Sequence, residues 1–231
     1  MIMRKHAIIV AGGTGTRMGG SIRKQYLPLA GLPVLMHTLH SFYRYSEDIN
    51  LVLVLPAVDM DYWQNLCTTH GFSVPHILVS GGSTRFQSVR NGLNSISFND
   101  GLVAIHDGVR PFAGQELIAA GFEEAALVGN AIAAVPLKDS IRKLGTAGGS
   151  VSCEREYFRL VQTPQTFLLS KIRQAYEVTE QPHFTDDASV YEHGGWPVHL
   201  IAGNPANIKI TTPEDMEYAD FLFRKYQTTT G

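Results

Sequence analysis

Residues 7–20 read AIIVAGGTGTRMGG, in which an apolar, β-branched run leads directly into a glycine-rich segment. The run at 7–11 is typical of a strand that is buried on both faces, and such strands belong to parallel sheets. Similar runs recur at 51–55, 76–79, 102–105 and 131–135. Helical patterns separate these runs at the spacing of βαβ units. The chain is therefore predicted to be α/β, with a Rossmann-like, open, mostly parallel sheet that carries helices on both faces.

Capping residues and apolar spacing place the remaining elements. The predicted helices are one through Leu35, Leu39 and Phe42, one from Asp59 to about Gly71, one capped by Ser83, one over 117–128, one over 170–179, one over 186–192, and one that starts at Thr212 and Pro213. Two further strands are predicted at 198–201 and 208–210.

Residues 137–158 interrupt this alternation. The stretches 137–143 and 150–155 are extended and polar, and a glycine-rich turn lies between them, which predicts a protruding β-hairpin arm. The arm has few apolar residues with which to stabilise itself. It is expected to pack on something else, either a second subunit or its own domain. We treat 1–231 as a single domain and predict a homodimer formed through this arm.

Composition excludes several classes of protein. The chain has 231 residues and a net charge of −2, so nothing attracts it as a whole to nucleic acid or to an anionic membrane, and neither is predicted as a partner. Two cysteines, Cys67 and Cys153, are too few for a disulfide framework or a zinc site and are predicted to be reduced. No apolar run is long enough for a membrane span or a signal peptide, so a cytoplasmic protein is expected.

The glycine-rich segment after the first strand is suited to phosphate, because glycine lets backbone N–H groups approach closely. It lacks the Lys-Ser/Thr pair of a P-loop, and it misses the glycine spacing of the dinucleotide fingerprint by one residue. Instead it contains Arg17, and Lys24 follows seven residues later. Two cations beside a triphosphate favour chemistry at phosphorus over hydride transfer, since they neutralise charge that develops on the phosphoryl oxygens.

The motifs form a specific series along the chain. They are GGTGTRMG at 12–19, IRKQYL at 22–27, GGSTRFQSV at 81–89, HDGVRP at 106–111, TPQ at 163–165, TDDA at 185–188 and NIKIT at 207–211. With these motifs the chain resembles the sugar-phosphate nucleotidylyltransferases and, among them, the 2-C-methyl-D-erythritol 4-phosphate cytidylyltransferase family of the non-mevalonate isoprenoid pathway. The resemblance implies transfer of the cytidylyl group of CTP to that polyol phosphate, with release of pyrophosphate.

The resemblance also implies roles for single residues. Arg17 and Lys24 would stabilise the transition state at the α-phosphorus, with Arg155 and Lys209 completing the catalytic set. The nucleotide would be bound by Ala11, Gly12, Gly13, Thr14 and Gly15 at the phosphates and by Gly81, Gly82, Ser83 and Ser88 at the base. Ser83 stands where many relatives carry aspartate. The polyol phosphate would be bound by Asp107, Arg110, Ser140, Arg155, Thr185 and Lys209, with Ser140 and Arg155 supplied by the neighbouring subunit.

Several alternatives stay open at this stage. Magnesium is the expected cofactor, held mainly by the CTP phosphates, with Asp107 as a candidate ligand. His106 is predicted to be packed rather than catalytic. The rival functions are ribitol 5-phosphate cytidylyltransferase, a nicotinamide-dependent oxidoreductase and a non-catalytic nucleotide-binding protein. The attacking group is a phosphate oxygen that is already anionic near neutral pH, so the leading reading needs no general base.

Overall fold

A computed structural model describes residues 3–13, 22–146 and 148–229 of the chain. Its strands are β1 (Lys5–Val10), β2 (Pro28–Leu29), β3 (Leu32–Pro33), β4 (Asn50–Leu55), β5 (Ile77–Ser80), β6 (Leu102–Asp107), β7 (Asn130–Pro136), β8 (Ile141–Leu144), β9 (Ser150–Cys153), β10 (Arg159–Leu168) and β11 (Leu200–Ala202). Its α-helices are α1 (Val34–Tyr45), α2 (Met60–Thr69), α3 (Arg85–Ser95), α4 (Gln115–Val128), α5 (Leu169–Ala175), α6 (Asp187–His193) and α7 (Pro213–Thr229).

Seven of these strands form one sheet in the order β11-β7-β10-β6-β1-β4-β5. Strand β1 pairs in parallel with both β4 and β6, and only β10 among the described strands of this sheet runs antiparallel to its neighbours. The sheet is therefore open and mostly parallel, as predicted.

The two faces of the sheet are covered by different helices. Ala7 and Ile9 of β1 pack into a core with α1, α2 and α4, whereas Ile8 between them packs into a second core with α3, α5 and α6. All three side chains are fully buried. Because successive strand residues point to opposite faces, the apolar run of β1 supplies both cores, which confirms the predicted two-sided burial.

The sequence analysis missed β10 and predicted one strand that is absent. Strand β10 lies between β6 and β7. Its first residues are exposed and it contains Gln and Pro residues, so its sequence shows no continuous apolar run. Residues 208–210 form no strand. Ile210 is buried near α7, and its N–H donates to the Val109 carbonyl at 3.0 Å, an isolated bond rather than part of a ladder.

Helix termini agree with prediction in part. Asp186 caps α6 with a reciprocal capping box, and the Thr212 hydroxyl accepts a bond from the Asp215 N–H at the start of α7. Ser83, by contrast, does not cap α3. Thr84 does, by accepting the Gln87 N–H. Helix α5 is also shorter than predicted, since it covers Leu169–Ala175.

The predicted arm is present as the antiparallel pair β8 and β9, a sheet of its own. Cys67 and Cys153 are both free, as expected. In the described part of the chain, no helix combines the length and the apolar character needed to cross a bilayer.

Candidate active site

A cavity of about 400 Å³ opens at the edge of the sheet where β1, β5 and β6 end. Ligands of open α/β sheets bind beyond the carboxyl ends of the strands, where the chain order reverses, and β1 with β4 on one side and β6 on the other is such a point. The predicted residues that line the cavity are Ala11, Gly12, Gly13, Lys24, Gly82, Ser83, Ser88, Asp107 and Lys209.

One wall of the cavity is the start of the glycine-rich segment. The buried Gln25 amide donates to the Ala11 carbonyl at 3.0 Å and to the Gly13 carbonyl at 3.5 Å, which holds this backbone against the short 3₁₀ turn at Lys24–Tyr26. Lys24 also lines the cavity, so its cation and the glycine backbone face one space. Thr14, Gly15 and Arg17 lie outside the described residues.

The opposite wall is the segment between β5 and α3. The Gly82 N–H donates to the Ser88 hydroxyl at 3.1 Å, and that hydroxyl donates to the Thr84 carbonyl at 2.8 Å. A Cβ on Gly82 would lie 2.3 Å from the Cβ of Gln87, so only glycine fits there. Gly81 adjoins this wall, with its N–H bonded to the Leu55 carbonyl at 2.8 Å.

Asp107 lies at the floor of the cavity, at the end of β6. Burial raises the pKa of its carboxyl group, but Arg85, Lys209 and Arg110 more than offset this and hold the pKa well below its usual range. Lys209 Nζ lies 3.0 Å and Arg110 Nε 3.2 Å from one carboxylate oxygen, and Arg85 Nε lies 3.8 Å from the other. Asp107 is thus a buried anion that forms ion pairs with three cations.

Arg85 is a site residue to which the sequence analysis assigned no role. Its two terminal nitrogens donate to the two carboxylate oxygens of the fully buried Asp187, at 2.8 and 2.6 Å. The Tyr176 hydroxyl donates to the same carboxylate at 2.6 Å. This pair joins α3, next to the wall between β5 and α3, to α6. The only sequence signal was the position of Arg85 and Asp187 inside two of the quoted motifs.

A second hollow of about 240 Å³ adjoins the cavity. Arg85, Asp107 and Lys209 line both spaces and so form the divide between them. The other predicted residues of this hollow are Arg110 and Thr185. Thr163, Gln165 and Asp186, which were given no separate role, also line it.

Polar bonds fix the walls of this second hollow. The Asp107 N–H donates to the Thr163 hydroxyl at 3.0 Å, and Arg110 donates to the Asn207 carbonyl at 2.8 Å, beside Lys209. The Gln165 amide donates to the Asp186 carboxylate at 2.9 Å. A small hollow lined by three cations together with hydroxyl, amide and carboxylate groups suits a polar phosphate ester.

Ser140 and Arg155 are not brought to either hollow. Both are exposed on the arm, and Arg155 donates to the Lys138 carbonyl within it. Among the described residues of one chain, these two arm residues therefore line neither of the spaces that the other predicted site residues line.

His106 is packed, as predicted. It is fully buried against Phe42, and one ring nitrogen lies 2.9 Å from the Arg110 carbonyl. Burial lowers the pKa of His106 to about 4. The ring is therefore neutral near pH 7, and it lines neither hollow.

The described residues contain no group of three His, Cys, Asp or Glu side chains that could hold a metal. Among the described residues that line the larger cavity, Asp107 is the one carboxylate, and three cations already surround it. This donor set fits a divalent ion carried mainly by ligand phosphates, rather than one held by the protein alone.

Comparisons with known proteins match this chain along almost its whole length. The family model described as IspD, 2-C-methyl-D-erythritol 4-phosphate cytidylyltransferase, matches residues 5–225. Curated proteins of that name from Porphyromonas gingivalis and Bacteroides fragilis are 50% identical over 224 residues and 48% identical over 220 residues. The aligned regions cover 96% and 95% of this chain and 99% and 100% of theirs. The crystal structure of 4-diphosphocytidyl-2C-methyl-D-erythritol synthase from Anaerococcus prevotii superposes with a TM-score of 0.84 at 29% identity, covering 96% of each chain.

Proposed function

This chain belongs to the 2-C-methyl-D-erythritol 4-phosphate cytidylyltransferase family, and from that premise we propose how its site performs the reaction. The enzyme transfers the cytidylyl group of CTP to 2-C-methyl-D-erythritol 4-phosphate. The products are 4-diphosphocytidyl-2-C-methyl-D-erythritol and pyrophosphate. Relatives that match nearly the whole chain carry this name, so ribitol 5-phosphate cytidylyltransferase is not favoured.

The mechanism rests on one observation, which is that Arg85, Asp107 and Lys209 line both hollows and form the divide between them. CTP occupies the larger cavity, with its phosphates along Gly12, Gly13 and Lys24 and its base toward Gly82. The polyol phosphate occupies the smaller hollow, beside Arg110 and Thr185. Its phosphate then meets the α-phosphorus of CTP at the divide.

The reaction is an in-line displacement at phosphorus. A phosphate oxygen of the polyol phosphate forms the new bond to the α-phosphorus, the bond from that phosphorus to the bridging oxygen breaks, and pyrophosphate leaves with the electron pair. The attacking oxygen is already an anion, so no side chain needs to remove a proton. Lys24 and Lys209 neutralise the charge that builds on the phosphoryl oxygens, together with Arg17 of the glycine-rich segment.

We propose that the cofactor is magnesium, which would be held mainly by the CTP phosphates and would supply charge neutralisation there. Asp107 is the carboxylate best placed to contact it. The bonds from Lys209 and Arg110 use one of its oxygens, and the other lies 3.8 Å from Arg85. The protein then orients the nucleotide and this ion without a dedicated cage.

We further propose that the enzyme is a homodimer in which the arm crosses to the partner. Leu144, Val151 and Tyr157 on the arm are 80%, 62% and 77% exposed, so they offer an apolar surface that a second copy would cover. Ser140 and Arg155 lie on the same arm, and neither lines a hollow of its own chain. A crossed arm would carry them to the partner's polyol phosphate. The use of CTP and the two free cysteines support the predicted cytoplasmic location.

The experiment that tests the function supplies CTP, magnesium and one polyol phosphate, and follows pyrophosphate. Release with 2-C-methyl-D-erythritol 4-phosphate and not with ribitol 5-phosphate is expected. Release with ribitol 5-phosphate alone would contradict the assignment.

A further inference from the structure

The Gln87 side chain braces the wall where the base is expected, and its orientation is determined from two sides. The Ser83 N–H donates to Gln87 Oε1 at 3.1 Å, and a backbone N–H requires an acceptor. At the other end of the amide, Gln87 Nε2 donates to the Glu180 carboxylate at 3.2 Å, and a carboxylate requires a donor. The amide therefore presents its oxygen to Ser83.

This orientation decides what the Ser83 hydroxyl can do. Its oxygen lies 2.9 Å from Gln87 Oε1, and since that atom only accepts, the single hydroxyl proton is directed at it. The oxygen keeps only its lone pairs for a ligand in the cavity. Ser88 is committed in a similar way, because its proton goes to the Thr84 carbonyl at 2.8 Å. The Ser83 and Ser88 hydroxyls thus offer a ligand lone pairs only, and the Ser88 oxygen already accepts the Gly82 N–H at 3.1 Å.

We propose that Gln87, held by Glu180, is a positioning residue that makes this wall select a nucleobase with a hydrogen-bond donor, and so cytosine over uracil. The two bases differ at position 4, where cytosine carries an amino group that donates and uracil carries an oxygen that accepts. The cytosine amine meets a lone pair on Ser83. The uracil O4 and the Ser83 oxygen would both present lone pairs to each other and repel. Only if Ser83 breaks its hydrogen bond to Gln87 can its proton turn toward uracil. The inference rests on the proposed placement of the base at Gly82, Ser83 and Ser88.

The test compares kcat/KM for CTP and for UTP at fixed 2-C-methyl-D-erythritol 4-phosphate and magnesium. Gln87→Met keeps the length of the side chain and releases the Ser83 proton, which can then turn toward the uracil oxygen. The ratio of UTP to CTP efficiency should rise about fivefold, the worth of one net hydrogen bond. Ser83→Ala should raise the same ratio by lowering the efficiency with CTP.

The double variant distinguishes a polarity effect from general loosening of the wall. Once Ser83 is alanine there is no hydroxyl to redirect, so adding Gln87→Met should leave the ratio where Ser83→Ala put it. Gln115→Met is the matched control, because this amide donates to the Arg44 carbonyl and lines neither hollow. It should leave the ratio unchanged.

Two results would overturn the proposal while leaving the proposed function intact. One is Gln87→Met with an unchanged ratio, including equal losses with both nucleotides. The other is Ser83→Ala with an unchanged ratio, which needs no Gln87 variant at all. A wild-type enzyme that releases no pyrophosphate from CTP would instead contradict the proposed function and this inference together.

Discussion

At Asp107, burial alone would raise the pKa of the carboxyl group, and the neighbouring Arg85, Lys209 and Arg110 reverse that effect. Because the carboxylate stays charged, it fixes Lys209 Nζ at 3.0 Å on the divide between the two hollows. An ammonium held in place by a buried partner needs little reorganisation when charge develops on the phosphate beside it. In the proposed mechanism, Asp107 therefore contributes to the reaction by positioning the Lys209 cation.

Lys24 supplies the first prediction at the scale of a residue. Lys24→Met keeps the length of the side chain and removes the charge that would meet the phosphoryl oxygens. We expect kcat to fall by roughly 10²–10³, with little change in the Kd of CTP, since the lost interaction is strongest in the transition state. Steady-state kinetics and equilibrium titration measure the two quantities. Lys171→Met, at a position that lines neither hollow, is the control. An unchanged kcat in Lys24→Met would contradict this role.

His106 supplies the second prediction. Its pKa is lowered from 6.5 to about 4 by burial, so the folded chain keeps the ring neutral while the unfolded chain protonates it below about pH 6.5. The stability that the neutral ring allows is complete above pH 6.5 and declines as the pH falls toward 4. Between pH 7 and pH 5 we expect a loss of roughly 2 kcal/mol from this residue.

The measurement is urea unfolding of the wild type and of His106→Phe at both pH values. Phenylalanine keeps the ring contact with Phe42 and cannot titrate. The variant should lose less stability than the wild type on acidification. Equal losses would show that the pKa of His106 does not differ between the folded and the unfolded chain as described.

At this scale, the sequence predicted the glycine and lysine residues whose types are suited to binding phosphate. Gly13, Lys24 and Lys209 stand in three of the quoted motifs, and all three line one cavity in the structure. Sequence reasoning did not find Arg85, because the residue that holds it, Asp187, is 102 positions away along the chain. A cation in a helix looks the same in sequence whether it is solvated or buried on a distant carboxylate.

At the scale of elements, the Arg85–Asp187 pair ties α3 to α6, and each of these helices begins at one of the two hollows. Arg85→Ala leaves Asp187 as a buried charge without its bidentate partner. We expect a loss of about 3–5 kcal/mol of folding stability, because removing one member of a buried pair strands the other.

Arg90→Ala is the matched control for this change. Arg90 lies on the same helix, is exposed, and rests over the Phe86 ring at 5.6 Å, so its removal should cost at most about 1 kcal/mol. Denaturant midpoints compare the two variants. Similar losses in both would show that the buried pair does not hold α3 and α6 together.

Elements with a strong local signal were predicted well, and those without one were not. The apolar runs of β1, β4, β6 and β7 mark them as buried strands. Strand β10 owes its place to pairing with β6 and β7, which are distant in sequence, and its own residues show no comparable run. The predicted strand at 208–210 failed for the opposite reason, since its apolar residues are buried by packing near α7 without a partner strand.

At the scale of the whole molecule, a chain of net charge −2 concentrates cations at the cavity where we propose that two polyanions meet. Lys24, Arg85 and Lys209 line the larger cavity, against the single carboxylate of Asp107 on its walls. This local excess draws the substrates in without giving the protein a general affinity for nucleic acid. Net charge alone could not reveal it, because it sums charges over the whole chain and says nothing about where they lie.

The arm provides the last prediction, which follows from the separation of Arg155 from the hollows of its own chain. If the arm crosses to a partner, each site combines Lys24 of one subunit with Arg155 of the other. Lys24→Ala and Arg155→Ala proteins should each be nearly inactive alone. In a mixed dimer, one site unites both defects and the other carries neither. When the two variants are unfolded and refolded together in equal amounts, half of the dimers are mixed and half of their sites are intact, so activity should recover to about a quarter of the wild-type value. Pyrophosphate release before and after mixing measures the recovery, and sedimentation reports the dimer.

Mixing Lys24→Ala with Lys209→Ala is the control, because both changes lie in the body of the subunit and every site in every dimer keeps at least one defect. An arm that served only its own chain would give no recovery in either mixture.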